Sequence, residues 1–404
     1  MNTLTDTNSS ACDTAQPEAR IHLFVLIDAL GWELLKEHPF LNDILPHRQP
    51  LRTVLGFSSG AIPTILTGLP PAKTGHWNLF YYDPQGSPFR WLKWFQFLPD
   101  SVLDHRVTQK VLKELGRHVL GMGKLFECFV SPRLLPWFNW VEKRNIYERG
   151  GISGAPSIFD KLADENVRYK VYSYHHQGDQ EILDQATRDV ESDSANFYFI
   201  YLCEVDSLLH NHILDQNKLA ERLDDYAEHL RKLFNCARQI DPNASMTLFS
   251  DHGMTPVTDR FDVAGEIEGL GFSMPDDYLA IYDSTMARFW FFNPESRAQI
   301  TQRLGELNCG RILSNLELQE LGVFFPDQRY GEIVFLLHPG WLISRSEFNG
   351  KGWNPIGMHG YHPDDAYSDG VFLNSQKPPF QVHTVADVYQ CLRQALRTGR
   401  QEKL

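Results

Sequence analysis

The sequence predicts an α/β fold with a mainly parallel central sheet flanked by helices. Three observations predict it. First, IHLFVLIDAL (21–30), ANFYFIYLCEVD (195–206) and MTLFSDHG (246–253) are continuous apolar runs of strand length. Runs of that kind suit strands buried on both faces, whereas half-exposed strands alternate. Second, helical patterns separate the runs, as a parallel sheet with crossover helices requires. Third, the runs end in Asp28, Asp206 and the pair Asp251–His252. That places acidic and imidazole groups at the carboxyl edge, where open parallel sheets bind ligands.

The elements follow in order. Residues 1–20 are polar and lack an apolar stretch, so they are expected to form a disordered tail without a secretory signal. The strand at 21–30 leads into a short helical pattern, GWELLKEH. A second strand is expected over LRTVLGF (51–57), then a turn into a helix over SSGAIPTILTG (58–68), where a serine can cap the first turn. Pro63 is tolerable there only in the first turn. Residues 156–164 look helical and 168–174 extended. Over 214–237, Leu219, Leu223, Tyr226, Leu230 and Leu233 form one stripe of an amphipathic helix. DYLAIYD, ARFWFF and GEIVFLL read as later extended pieces, and 383–398 as a final helix. The segment 76–150 breaks this rhythm. It carries five of the nine tryptophans and many Arg and Lys residues. It is expected to be a cap or insertion in a single catalytic domain spanning 21–400, its aromatics either packed as a satellite core or lining a substrate pocket.

At 404 residues, 42% hydrophobic and 22% charged, the chain has ordinary globular composition. A net charge of −13 argues against a nucleic-acid-coating surface. It does not exclude an anionic substrate, because bound dications reverse the sign locally. No apolar run is long enough to predict a membrane span. The six cysteines show no CxxC spacing, which suits reduced thiols and a cytoplasmic location.

The chemistry-bearing residues gain force from their order. Asp28, Ser58, Asp206 with His210 four residues on, Asp251–His252 and His359 are each weak alone: an aspartate after a strand usually caps a helix, and an Asp–His pair at i,i+4 is often only a local contact. Together, VLIDALG (25–31), SSGAIPTILTGLPP (58–71), EVDSLLH (204–210), SDHGM (250–254) and MHGY (358–361) resemble the alkaline phosphatase superfamily, closest to its type I phosphodiesterase/nucleotide pyrophosphatase branch. The resemblance spans about 21–375. It implies a nucleophile nine residues before the Thr of Thr67-Gly68, which selects Ser58 over Ser59. It implies one metal site from Asp28, Ser58, Asp251 and His252, and another from Asp206, His210 and His359. It also points to Asn78 as a holder of a phosphoryl oxygen, with a one-residue gap.

Carboxylate and imidazole donors suit two divalent ions, zinc first, with manganese or iron as alternatives. The implied activity is hydrolysis of a small anionic phosphate ester or pyrophosphate, nucleotide or glycan-linked, through a phosphoseryl intermediate at Ser58. Two departures stand out. Diesterases of the branch commonly carry Thr where Ser58 stands, so a phosphomonoesterase, a mutase or a transferase remains open. His362 is an alternative to His359. The sulfatase signature is missing after Ser58. Gly56-Phe57-Ser58-Ser59-Gly60 fits the nucleophile elbow of metal-independent serine hydrolases, but that motif leaves the other clusters unexplained. A non-catalytic metal-binding relative is the remaining rival.

Overall fold

The computed structural model describes residues 19–122, 130–173, 178–347 and 353–398. The tail expected over 1–20 therefore lies, apart from Ala19 and Arg20, outside the described residues. The central sheet has six strands: β1 (His22–Ile27), β2 (His47–Leu51), β3 (Tyr169–Tyr172), β4 (Phe197–Leu202), β5 (Ser245–Phe249) and β6 (Gly370–Asn374). Their order is β2-β6-β5-β1-β4-β3. β1 lies inside the sheet, parallel to β4 and β5, and β6 alone runs against the direction of the other five strands.

Alternation along β1 divides the core between the faces. Leu23, Val25 and Ile27 face one layer, with Ile182 and Ala186 of helix Asp179–Glu191 and the stripe Leu219, Leu223, Tyr226, Leu230 and Leu233 of helix Gln216–Ile240. Phe24 and Leu26 face the other, with Ile62, Ile65 and Leu66 of helix Ser58–Thr67 and Val388, Leu392 and Leu396 of helix Val388–Thr398. Both layers are buried, and each Leu, Ile, Val or Phe side chain within them contributes roughly 1.5–3 kcal/mol. Among the described residues, no helix is long and apolar enough to cross a membrane.

The structure corrects the sequence reading in two places and adds a second sheet to it. The strand expected over 51–57 is displaced to His47–Leu51, which pairs with β6. Beyond it the chain leaves the sheet: Arg52 makes a single bridge to Thr384, the Trp77 indole donates to the Leu55 carbonyl at 2.7 Å, and Gly56 turns at φ +123°. Pro63 stands in the second turn of helix Ser58–Thr67 rather than the first. Lacking an N–H, it leaves the Ser59 carbonyl without its intrahelical donor. The extended pieces DYLAIYD, ARFWFF and GEIVFLL do not join the main sheet. They give Tyr278–Asp283, Met286–Phe291 and Ile333–Leu337, which with Gly310–Ile312 form a separate antiparallel sheet. A two-residue turn with Ser284 at φ 41° reverses the chain between the first two, so they pair locally instead of crossing over.

The aromatic segment meets this second sheet. Phe80–Tyr82 pairs with Phe138–Trp140. Phe80, Phe89, Phe138 and Trp140 pack against Leu279, Ile281 and Trp290 of the sheet, so these four aromatics serve as core.

Candidate active site

Asp28 follows β1, and its neighbour Ala29 takes a left-handed φ of 60°. A non-glycine residue held there carries local strain, which packing must offset. The turn is fixed from the side: a Cβ on Gly253 would lie 2.2 Å from the Tyr367 carbonyl oxygen, and Gly31 and Gly253 back onto each other. The loops after β1 and β5 thus approach at backbone distance, which sets Asp28 beside Asp251 and His252. Thr53 donates to the Asp251 carbonyl at 2.7 Å, anchoring the same loop.

His252 Nε2 lies 3.4 Å from Asp28 Oδ1, 3.3 Å from Asp251 Oδ2 and 3.0 Å from Ser58 Oγ. Its Nδ1 is 2.8 Å from the Gly253 carbonyl. A carbonyl only accepts, so Nδ1 is the donor and Nε2 presents its lone pair to the cluster. Ser58 is the first residue of its helix, after Phe57 in extended conformation. Neither serine caps the helix: Ser59 lies inside the first turn, buried, and its hydroxyl donates to the Trp77 carbonyl at 2.7 Å.

Asp206 and His210 come from helix Glu204–His212, which follows β4. His210 Nε2 lies 3.3 Å from Asp206 Oδ1, and His359 Nε2 lies 3.7 Å from the same oxygen. His210 Nδ1 donates to the Gly357 carbonyl at 2.8 Å, which again turns Nε2 inward. Gly360, at φ +92°, lets the chain turn after His359, where a Cβ would meet the Phe57 ring at 2.8 Å. The His252 and His359 rings stack with centroids 3.9 Å apart, so the two groups adjoin.

Six of the seven expected ligand positions thus fall into two triads, Asp28–Asp251–His252 and Asp206–His210–His359, each with its donor atoms within 4.8 Å of one another. Ser58 touches the first triad through His252. Asn78 is buried in the loop before Phe80–Tyr82, its Nδ2 only 3.5 Å from the Met286 sulfur and its Oδ1 without a hydrogen bond. His362 joins neither triad. Its ring faces Glu317 and Asp364, each at 3.4 Å, which removes it as the substitute for His359.

The electrostatics are those of a cation site. Asp28 Oδ1, Asp206 Oδ1 and Asp251 Oδ2 are buried and accept no hydrogen bond. Buried acceptors are rarely left so, because each costs a desolvation penalty. Burial, then the charges of Asp251 and Asp206, pushes the Asp28 carboxyl well above the usual range. His359 is driven well below the usual imidazole range by burial and by the neighbouring His252 and His210 rings, so it stays neutral and free to ligate. On one tetrahedral ion with bonds of ~2.0–2.2 Å, two donors stand about 3.4 Å apart. The carboxylate–imidazole separations of 3.3, 3.4 and 3.7 Å match that spacing and are long for hydrogen bonds. The residues present therefore fit metal ions.

Three contributors escaped the sequence reading. Tyr201 on β4 donates its hydroxyl to Asp28 Oδ2, which leaves Oδ1 for the cluster. Asp179 accepts from the Cys203 and Glu204 N–H groups at 3.1 and 2.9 Å and from the Tyr226 hydroxyl, pinning the helix that carries Asp206 and His210. Trp353 stands edge-on to His210 with centroids 4.9 Å apart. All three act over long sequence separations, and no local pattern marks them.

Residues 22–362 match the type I phosphodiesterase/nucleotide pyrophosphatase family. No curated protein sequence matches significantly. Among solved structures, human ectonucleotide pyrophosphatase/phosphodiesterase 5 superposes with a TM-score of 0.66 at 14% identity, covering 94% of this chain and 95% of that one. The murine protein of the same name, solved as an inactive threonine-to-alanine form in complex with AMP, gives 0.64 at 17% identity over the same shares. These likenesses carry the fold, and the family match carries the class of reaction. From a match that spans most of the chain, the protein belongs to the type I phosphodiesterase/nucleotide pyrophosphatase family, metal-dependent hydrolases of phosphoester and pyrophosphate bonds.

Proposed function

We propose that the protein cleaves a nucleotide-type phosphodiester or pyrophosphate through a covalent phosphoserine at Ser58, with two zinc ions held by Asp28, Asp251 and His252 and by Asp206, His210 and His359. One observation carries this reading: Ser58 Oγ lies 3.0 Å from His252 Nε2, the same nitrogen on which Asp28 and Asp251 converge. In a metal-independent serine hydrolase the carboxylate holds the opposite ring nitrogen, so that the first is free to take the serine proton. Here the opposite nitrogen binds only the Gly253 carbonyl. The arrangement is a ligand set, not a charge-oriented base.

When bound, the two ions supply Lewis-acid charge that favours the deprotonated serine and neutralises the leaving oxygen. The chain's own groups do the rest. Ser58 Oγ bonds to phosphorus as the leaving oxygen departs, and water then cleaves that ester and restores the serine. The N–H groups of Ser58 and Ser59, at the start of helix Ser58–Thr67, receive a phosphoryl oxygen, while those of Gly60 and Ala61 donate to the Phe57 carbonyl. We assign a second oxygen to Asn78, whose buried Nδ2 contacts the Met286 sulfur at 3.5 Å. The AMP bound by the murine neighbour supports a nucleotide as the substrate group.

The test is nitrophenol release from bis-p-nitrophenyl phosphate and p-nitrophenyl phosphate by the zinc-loaded protein, with Ser58→Ala as the blank. The diester is expected to be cleaved faster, and Ser58→Ala to lower turnover by roughly 10³-fold or more. Full activity in Ser58→Ala would overturn the nucleophile. Faster monoester cleavage would make the protein a phosphatase. Cleavage of neither would favour the mutase, transferase or binding-protein readings.

A further inference from the structure

The segment between Trp91 and Val119 exposes more large apolar side chains than any packing role explains. Trp94 is 81% and Phe97 80% exposed, and Trp91, Phe95, Val107 and Val111 are each more than a third exposed. Val107 and Val111 lie one turn apart on helix Arg106–His118, whose opposite side buries Leu112. Scattered exposed hydrophobes are normal in a folded protein, but a run of them with two aromatics at the tip marks an interaction surface.

Charge says what kind. Residues 90–118 hold six Lys or Arg against three Asp or Glu, a local excess of three positive charges in a chain whose net charge is −13. Arg90, Lys93, Arg106 and Lys110 are exposed around the aromatics. Lys93 also lies over the Trp137 ring at 3.9 Å, which ties the exposed turn to the body of the protein. Trp94 and Phe97, each about four-fifths exposed, stand out from the surface and line no groove of their own. Protruding Trp and Phe beside an amphipathic helix with a cationic rim suit the headgroup layer of a bilayer, where rings enter the acyl boundary and Lys and Arg meet anionic lipids.

We propose that the Trp91–Val119 face docks peripherally on an anionic lipid bilayer, with Trp94 and Phe97 as the inserted residues and Arg90, Arg106 and Lys110 as headgroup contacts. The face lies on the membrane and does not span it.

The test is co-sedimentation of the full chain with vesicles of phosphatidylcholine alone and of phosphatidylcholine mixed with phosphatidylserine. The protein is expected to bind the mixed vesicles more tightly and to be released by salt. Trp94→Ser combined with Phe97→Ser should weaken partitioning by roughly tenfold or more. Arg106→Glu with Lys110→Glu should abolish the preference for phosphatidylserine. Hydrolysis of a soluble nitrophenyl ester should be unchanged in every variant, which certifies the fold. Brominated lipid should quench fluorescence of the wild type but not the corresponding fraction in Trp94→Phe. Failure to bind either vesicle, or binding by the aromatic double variant equal to wild type, would overturn the proposal. So would a dimer, seen by light scattering, that the same substitutions dissociate, because a second copy would then be the occupant.

Discussion

At the scale of single residues, the site depends on oxygens that have nothing else to do. Asp206 Oδ1 is buried, accepts no hydrogen bond and faces two imidazoles at 3.3 and 3.7 Å. Asp206→Ala is therefore expected to lower metal content after dialysis by about half, as measured by elemental analysis, with a loss of turnover. Unchanged occupancy would remove Asp206 from the ligand set. The ligand-type residues were legible because chemistry restricts them to a few types, and because three strand ends meet at one edge of a parallel sheet. Which serine stands at the site was legible only through the Thr67-Gly68 spacing. The structure adds the physical reason, since Ser59 is committed to the Trp77 carbonyl. The hold of Tyr201 on Asp28 was not legible: a tyrosine inside FYFIYL reads as one more core aromatic, and nothing local says that its hydroxyl crosses to the neighbouring strand.

At the scale of elements, Asp179 shows how one side chain places two candidate ligands. It begins helix Asp179–Glu191 but spends its carboxylate on the start of another helix, Glu204–His212, and on Tyr226 of a third. Asp179→Ala would strand buried donors and remove an N-terminal carboxylate, a loss of about 1–2 kcal/mol or more. The midpoint of thermal unfolding should fall in chelator, and it should fall further with zinc, because Asp206 and His210 would be held less well. An equal midpoint in both conditions would show that Asp179 neither caps nor positions that helix. Strands and helices of the main sheet were legible from their apolar runs. The second sheet was not, because a short apolar run carries no mark of which sheet it joins: the turn at Ser284 and Thr285 decides that, and neither residue has the sequence signature of a hairpin. The displaced strand at His47–Leu51 was missed because it is an edge strand of mixed polarity, HRQPL, with only Leu51 buried.

At the scale of the whole molecule, stability is linked to pH through histidines outside the metal-type triads. His22 opens β1 at the centre of the sheet, buried, with Nδ1 2.8 Å from the Ser245 hydroxyl. Burial lowers its pKa to about 4, against the opposing pull of a hydrogen bond with Ala19 and the charge of Asp241. His76 is lowered to about 4 by burial as well. For a group whose folded pKa lies below the unfolded value of about 6.5, the unfolded chain binds the proton more readily in the interval between them. The contribution of neutral His22 to stability is therefore complete above pH ~6.5 and is lost as pH falls toward ~4, to a limit of about 3 kcal/mol. Acid also protonates the metal-type ligands, so the comparison must isolate His22. In chelator, the difference in unfolding free energy between wild type and His22→Gln is expected to shrink steadily from pH 7 to pH 4, because the variant has no proton to gain at that position. A difference that stays constant across this range would mean that His22 titrates alike in the folded and unfolded chain, and that the centre of the sheet is more accessible to water than its burial implies.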